Sequence, residues 1–231
     1  MIVLCTGMIR SGSTWSFNVC KNIMQRNGSL FSEYNESVES IFKERGNNFD
    51  NILIKCHGAD EFGRLLIKHS CVKLVYTYRQ PMEAIISGMQ VFDKSFEEQL
   101  GSIKKSLEFM LYQKKYGAHI IHYDEIANNS LDTIRKISDY LGYVLELDEV
   151  LLINSKLSKE NLKKFTDQIS KNDKNVIDAG YTFYDKDTLL HRKHIRGEKS
   201  KNWKDILTQK QIEFAISSLK PYVDDSGLLI L

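Results

Sequence analysis

The chain has 231 residues, 42% of them hydrophobic and 27% charged, which suits one α/β domain spanning 1–231 and is short for two. With 32 Lys and Arg against 30 Asp and Glu, the net charge is +2, so no global field favours nucleic acid or an acidic membrane as partner. Any anion site must therefore be local.

The opening run MIVLCTG is apolar but lacks the basic flank and the length of a secretory signal, and no later stretch is long enough to cross a bilayer. Residues 2–6 read as the first strand. A helix follows, with Val19, Cys20, Ile23 and Met24 on one face. Further strands are expected at 52–56, 72–78 and 119–123. Helical periods carry Leu100, Ile103, Leu107, Met110 and Leu111, then Leu131, Ile134, Ile137 and Leu141, with Asn129 or Ser130 as the cap. Strands alternating with helices imply βαβ units, hence a parallel sheet with helices on both faces. After about residue 145 the pattern becomes helical, with Leu162, Phe165 and Ile169 aligned, then Ile212, Ala215, Ile216 and Leu219. Residues 171–204 are polar and basic, either a surface excursion or a lid. The four cysteines (Cys5, Cys20, Cys56, Cys71) form no CxxC pair and read as reduced, mostly buried thiols of a cytoplasmic protein. No ligand cluster has the spacing of a metal site.

Between the first strand and its helix lies Gly7-Met8-Ile9-Arg10-Ser11-Gly12-Ser13-Thr14, a G-x-x-x-x-G-x-[ST] loop. Glycines let successive backbone N–H groups turn inward, and the helix N-terminus adds positive dipole at the same point. Alone, the spacing also fits an ordinary tight turn. The nucleoside-triphosphate version carries Lys before the final Ser or Thr; this chain has Ser13 there and places its cation at Arg10.

With Trp15 added, Arg10-Ser11-Gly12-Ser13-Thr14-Trp15 resembles the K/R-S-G-T-T-W loop of the sulfotransferases that use 3′-phosphoadenosine 5′-phosphosulfate (PAPS). The resemblance implies a P-loop-like α/β fold and a loop that cradles the 5′-phosphosulfate. It also implies a Trp15 that packs on adenine and an Arg10 that stabilises the bridging oxygen. Arginine stays protonated, so that role is electrostatic.

Three further segments match in order. Lys55-Cys56-His57 resembles the family's K-T-H, which implies His57 as general base and Lys55 as a contact of the transferring group; the following Leu-Pro is replaced by Gly58-Ala59. Arg79-Gln80-Pro81, with Glu83 and Ser87, resembles R-[DN]-P-x-[DE]-x-x-x-S, whose Arg and Ser hold the 3′-phosphate; Gln80 departs from it. A plain Arg–Glu surface pair is the alternative. Arg196-Gly197-Glu198, seven residues ahead of Trp203, resembles R-K-G-x-x-G-D-W-K, which closes over the 3′-phosphate, although Gly197 stands where Lys is usual. Tyr123-Asp124-Glu125 is similar to the family's Y-E-D/E segment beside the adenine.

The resemblance spans residues 1 to about 208. It implies an enzyme that moves a sulfuryl group from PAPS, without a metal, to a hydroxyl or amine of a small-molecule acceptor, such as a natural product. Acceptor choice would reside in residues 32–48, 88–98 and 171–195. A P-loop-like kinase is the rival, and a binding protein that has lost its chemistry is the third reading. Lys55 and His57 speak against the latter, because a binder needs no base.

Overall fold

The computed structural model describes residues 1–45, 49–180, 182–192, 195, 202–224 and 229. Five strands form its central sheet: β1 (Ile2–Gly7), β2 (Leu30–Tyr34), β3 (Asn51–Lys55), β4 (Lys73–Tyr78) and β5 (His119–His122). They lie in the order β2-β3-β1-β4-β5, and every pairing is parallel. Alternation along the strands divides the core in two. Leu4, Ile52, Ile54, Leu74 and Tyr76 face one side, packed with residues of α4 (Pro81–Phe92), α5 (Phe96–Lys115) and α10 (Gln209–Leu219). Val3, Cys5, Leu53, Val75 and Ile121 face the other, with residues of α1 (Ser13–Met24), α7 (Ser130–Leu141) and α8 (Leu147–Lys156). Apolar residues on both faces are what a parallel sheet covered by crossover helices requires.

The expected strands and long helices are present, and the differences lie at the surface. Residues 30–34 form an edge strand that periodicity did not indicate, since every one of its residues keeps some exposure. Tyr123 opens α6 (Tyr123–Asn128) rather than ending a strand. Leu111, Leu131 and Phe165, expected in the core, are 41%, 36% and 39% exposed, so the buried stripe of each helix is narrower than its apolar period. Ile169 lies just past the end of α9 (Lys159–Gln168). Cys5, Cys20 and Cys56 are buried and Cys71 is exposed; all four are free thiols.

The polar segment after residue 170 contains an antiparallel hairpin, β6 (Val176–Asp178) and β7 (Phe183–Asp185). It is docked rather than loose. Asn18 donates to the Thr188 carbonyl at 2.8 Å, Lys21 to the Asp187 carbonyl at 2.6 Å, and Leu189 and Leu190 are buried.

Because β2 and β3 lie on one side of β1 and β4 on the other, the crossovers part at β1. Crevices in open parallel sheets form at the carboxyl ends of strands where this happens. Gly7, Lys55 and Tyr78 end β1, β3 and β4 at that edge.

Candidate active site

The loop leaving β1 is locked to β4. Gly7 is there because nothing larger fits: a Cβ would lie 2.3 Å from Thr77 Oγ1 and 2.9 Å from the Thr77 carbonyl oxygen. Ser11 is fully buried, with its Oγ 2.6 Å from the Met8 carbonyl, 2.9 Å from the Thr77 carbonyl and 2.7 Å from Thr77 Oγ1. Its hydroxyl thus braces the loop, and its amide donates to the Met8 carbonyl at 3.2 Å. Gly12 is the N-cap of α1 in the left-handed region (φ 88°), and no side chain caps the helix. The Trp15 amide donates to the Gly12 carbonyl at 2.9 Å, but those of Ser13 and Thr14 have no acceptor within the helix and open an uncompensated positive end. Ser13 is buried, Thr14 is partly exposed, and Trp15 is 8% exposed within the core on the α1 side. Trp15 offers a ligand no more than its edge.

Arg10 also adopts a left-handed backbone (φ 68°), which an L-residue holds only when its surroundings impose it. Its Nε donates to Ser87 Oγ at 3.1 Å, joining the glycine loop to α4 across 77 residues. Arg79, at the other end of the same motif, donates from Nε to Glu83 Oε2 at 2.7 Å. Its side chain is only 11% exposed, and its guanidinium carbon lies 4.4 Å from the centre of the Tyr123 ring. It is therefore stacked and enclosed rather than one half of a surface pair. Tyr123 in turn flanks Gly12, 3.5 Å from where a Cβ would stand. Gln80, the N-cap of α4, makes no capping bond, and its Oε1 is buried without a partner among the described residues. Its extra methylene carries the amide past the capping position that Asp or Asn would reach.

Lys55 is 7% exposed, with Nζ 5.4 Å from the centre of the Tyr34 ring; burial lowers its pKa. His57 Nδ1 lies 2.9 Å from the Gly7 carbonyl oxygen. A carbonyl only accepts, so Nδ1 carries the hydrogen and Nε2 keeps the lone pair. Burial, and then the Lys55 charge, push the His57 pKa down to about 4, which keeps this neutral tautomer at physiological pH.

Sequence reading missed two residues here. Glu36, past the end of β2, accepts from the His57 and Gly58 amides, each at 2.9 Å. His191, which pairs with Tyr184 by a β-bridge, is also pushed down to about 4, by burial and then by the Lys55 and Arg10 charges. Only the folded hairpin brings it near them. Between the free edge of β2 and the hairpin is a cavity of about 100 Å³ lined by Phe31, Glu33, Tyr34, Ile177, Tyr184 and Leu189. Tyr34 also borders the carboxyl ends of the strands, its ring 6.2 Å from that of His57.

Both histidines bind protons more readily unfolded (pKa 6.5) than folded, so their contribution to stability is complete above about pH 6.5 and is lost as pH falls towards 4. Urea midpoints measured from pH 7 to pH 4 should fall across this window, and less steeply in His191→Gln.

Arg196 and Gly197 lie outside the described residues. Trp203, seven residues on, opens a short 3₁₀ helix (Trp203–Asp205) that packs against α4, the helix carrying Ser87. Among the described residues, no group of three or more His, Cys, Asp or Glu is arranged to hold a metal ion, and no helix is long and apolar enough to cross a membrane.

The family profile described as "Sulfotransferase domain" matches residues 3–227. No curated protein matches the chain. Among solved structures, a mouse sulfotransferase complexed with PAP superimposes with a TM-score of 0.67 at 16% identity, over 97% of this chain and 86% of that one. Retinol dehydratase in complex with androsterone and the inactive cofactor PAP gives 0.67 at 13% identity, over 99% and 82%. The same enzyme with retinol and PAP gives 0.62 at 14%, over 100% and 83%. At these identities the structures establish a shared fold.

Proposed function

Since the chain belongs to the sulfotransferase family, we propose that it is a single-domain enzyme that transfers a sulfuryl group from PAPS to a hydroxyl or amine of a small-molecule acceptor. The observation that carries this reading is the meeting of Arg10 with Ser87 at 3.1 Å. The cation of the glycine loop and the serine of the R-x-P-x-x-x-x-x-S motif share one crevice, although either motif alone has a bland explanation.

The residues present suit the donor. The uncapped N-terminus of α1, with the amides of residues 12–14, offers a cradle for the 5′-phosphosulfate. Arg79 and Ser87 supply the fork and hydroxyl that a terminal phosphate dianion takes; Glu83 must then share Arg79, whose remaining guanidinium N–H groups are available for a second anion. Tyr123, with Arg79 over its ring and one ring edge beside Gly12, is proposed to approach the adenine. Trp15 contributes an edge, and Arg196 and Gly197 are proposed to close over the 3′-phosphate.

When bound, PAPS supplies an activated sulfuryl group. His57 Nε2 would take the proton from the acceptor as its oxygen or nitrogen attacks sulfur, with Nδ1–H anchored on Gly7, while the bond from sulfur to the 5′-phosphate oxygen breaks and adenosine 3′,5′-bisphosphate leaves. Arg10 and Lys55 set positive charge beside the oxygens on which negative charge gathers. A sulfuryl group carries less charge than a phosphoryl group, so these cations and the loop amides are proposed to suffice without Mg²⁺. The cavity beside Tyr34 and Tyr184 would receive the body of the acceptor; its aromatic and aliphatic side chains stand beside Ser32, Glu33 and Lys186, a mixed lining that suits a compound with an apolar or aromatic body and polar substituents.

Isothermal titration tests the donor assignment. Adenosine 3′,5′-bisphosphate should bind without metal and more tightly than 5′-AMP. Arg79→Ala should weaken bisphosphate binding about 10- to 100-fold, the scale of hydrogen bonds to a charged group, and leave 5′-AMP nearly unchanged. Tighter binding of ATP with Mg²⁺ would favour a kinase instead.

A further inference from the structure

The loops that follow β2 and β3 are clasped by two carboxylates acting in opposite directions. From the β2 side, Glu36 reaches across. Its Oε1 accepts from the His57 amide and its Oε2 from the Gly58 amide, each at 2.9 Å, and Oε1 also accepts from the Tyr34 hydroxyl at 2.7 Å. From the β3 side, Asp60 reaches back. Its Oδ2 accepts from Ser37 Oγ at 2.9 Å and from the Glu39 amide at 3.0 Å, while Oδ1 caps α3 (Glu61–Lys68) through the Gly63 amide at 2.8 Å. Asp60 thus has an evident local duty as a helix cap. Glu36 does not.

What Glu36 holds is the backbone of the proposed base. β3 ends at Lys55, and the last ladder contact there is the Asn35 amide donating to the Lys55 carbonyl at 3.0 Å. Beyond that point the amides of residues 57 and 58 have no strand partner on this side, and a carboxylate supplies both acceptors at once. Where those amides sit decides where the imidazole begins. From there His57 Nδ1 must reach the Gly7 carbonyl at 2.9 Å.

We propose that Glu36 is a positioning residue for sulfuryl transfer: its two-pronged grip on residues 57 and 58 sets the His57 ring on Gly7, so that Nε2 is the nitrogen left to take the acceptor proton. The inference rests on His57 being the base. Tyr34 extends the grip to the acceptor side, because its hydroxyl holds the same carboxylate while its ring lines the cavity and stands 5.4 Å from Lys55 Nζ. A glutamine cannot replace Glu36, since one of its two ends is a donor and would face an amide N–H. The charged groups acting on His57 are Lys55, which opposes its protonation, and Glu36 itself, which favours it.

The test compares Glu36→Gln with wild type in three measurements. Turnover at saturating donor and acceptor should fall about 10-fold or more, the scale of a lost hydrogen bond to a charged group. Affinity for adenosine 3′,5′-bisphosphate should stay within about twofold, because Glu36 lies outside the donor site. The ¹⁵N shifts of the His57 ring should show a single Nδ1–H tautomer in wild type and a mixed or exchanging one in the variant. If Glu36→Gln does not fold, Tyr34→Phe, which takes one hydroxyl from the same carboxylate, should lower turnover about threefold with bisphosphate affinity intact. Wild-type turnover in Glu36→Gln, or a fall in turnover with the tautomer unchanged, would overturn the proposal. Turnover by His57→Ala at the wild-type rate would instead remove the base assignment on which the proposal stands, so the two failures are distinguishable.

Discussion

His57→Ala should turn over about two to four orders of magnitude more slowly than wild type at saturating PAPS, the usual contribution of a positioned general base. The expectation follows from the tautomer. With Nδ1–H committed to the Gly7 carbonyl, the lone pair on Nε2 is the only basic site of the ring. Burial and Lys55 keep that lone pair unprotonated down to about pH 4. Two consequences separate this role from a structural one. The rate should show no acid limb from His57 between pH 5.5 and 8, because the base form is populated throughout. Bisphosphate affinity in His57→Ala should match wild type, since no donor-binding residue is removed. A variant that keeps its rate would mean that another group, or water, takes the proton.

Replacing Arg10 by methionine should lower kcat by roughly 10²–10³-fold, the cost of removing one preorganised donor from a site of developing charge. Methionine retains much of the side-chain length and removes the charge and the donor to Ser87. Arg10→Lys is the informative partner. It keeps a protonated group and should recover most of the rate, with the pH profile of the neutral range unaltered, because both side chains are protonated there. A proton-transfer role would instead give the lysine variant a new alkaline limb. Lysine carries no Nε–H in the arginine position, so the bond to Ser87 must be remade from its ammonium. Any remaining deficit in Arg10→Lys should therefore appear in bisphosphate affinity as well as in rate. Steady-state kinetics from pH 6 to pH 10, with titration of the bisphosphate, decide among these outcomes.

Much of the candidate site was legible before folding, because its parts are local. A phosphate-type loop needs glycine at fixed intervals between a strand and a helix, and the run from Gly7 to Thr14 meets that need within one turn of chain. The same is true of Arg79 to Ser87, where a strand end, a Pro at the helix start and an eight-residue interval set Arg79 just ahead of α4 and Ser87 within it. Two individual roles change character on folding. The Ser11 hydroxyl braces the loop against Thr77, and Trp15 is a core residue. Neither difference could be seen in the motif, which records residue types and not their burial.

The edge strand β2 escaped detection for a related reason. LFSEY is covered on neither face completely, so its alternation is blurred by residues that do not need to be apolar. With that strand unseen, the loop after it could not be placed, and Glu36 had no reason to be singled out. His191 was hidden in the same way within a segment whose composition suggested only charge and solvent.

The amino-acid sequence by itself determined the parallel sheet, the glycine turn after β1 and the cationic and basic residues at strand ends, since each depends on periodicity or spacing within a few turns of chain. Only the tertiary structure decided that Arg10 meets Ser87, that Tyr123 lies between Arg79 and Gly12, that Glu36 holds His57 and that His191 comes near Lys55. Those contacts join residues far apart in the chain. They are set by the strand order β2-β3-β1-β4-β5 and by where the hairpin docks on α1, which no local window of sequence contains.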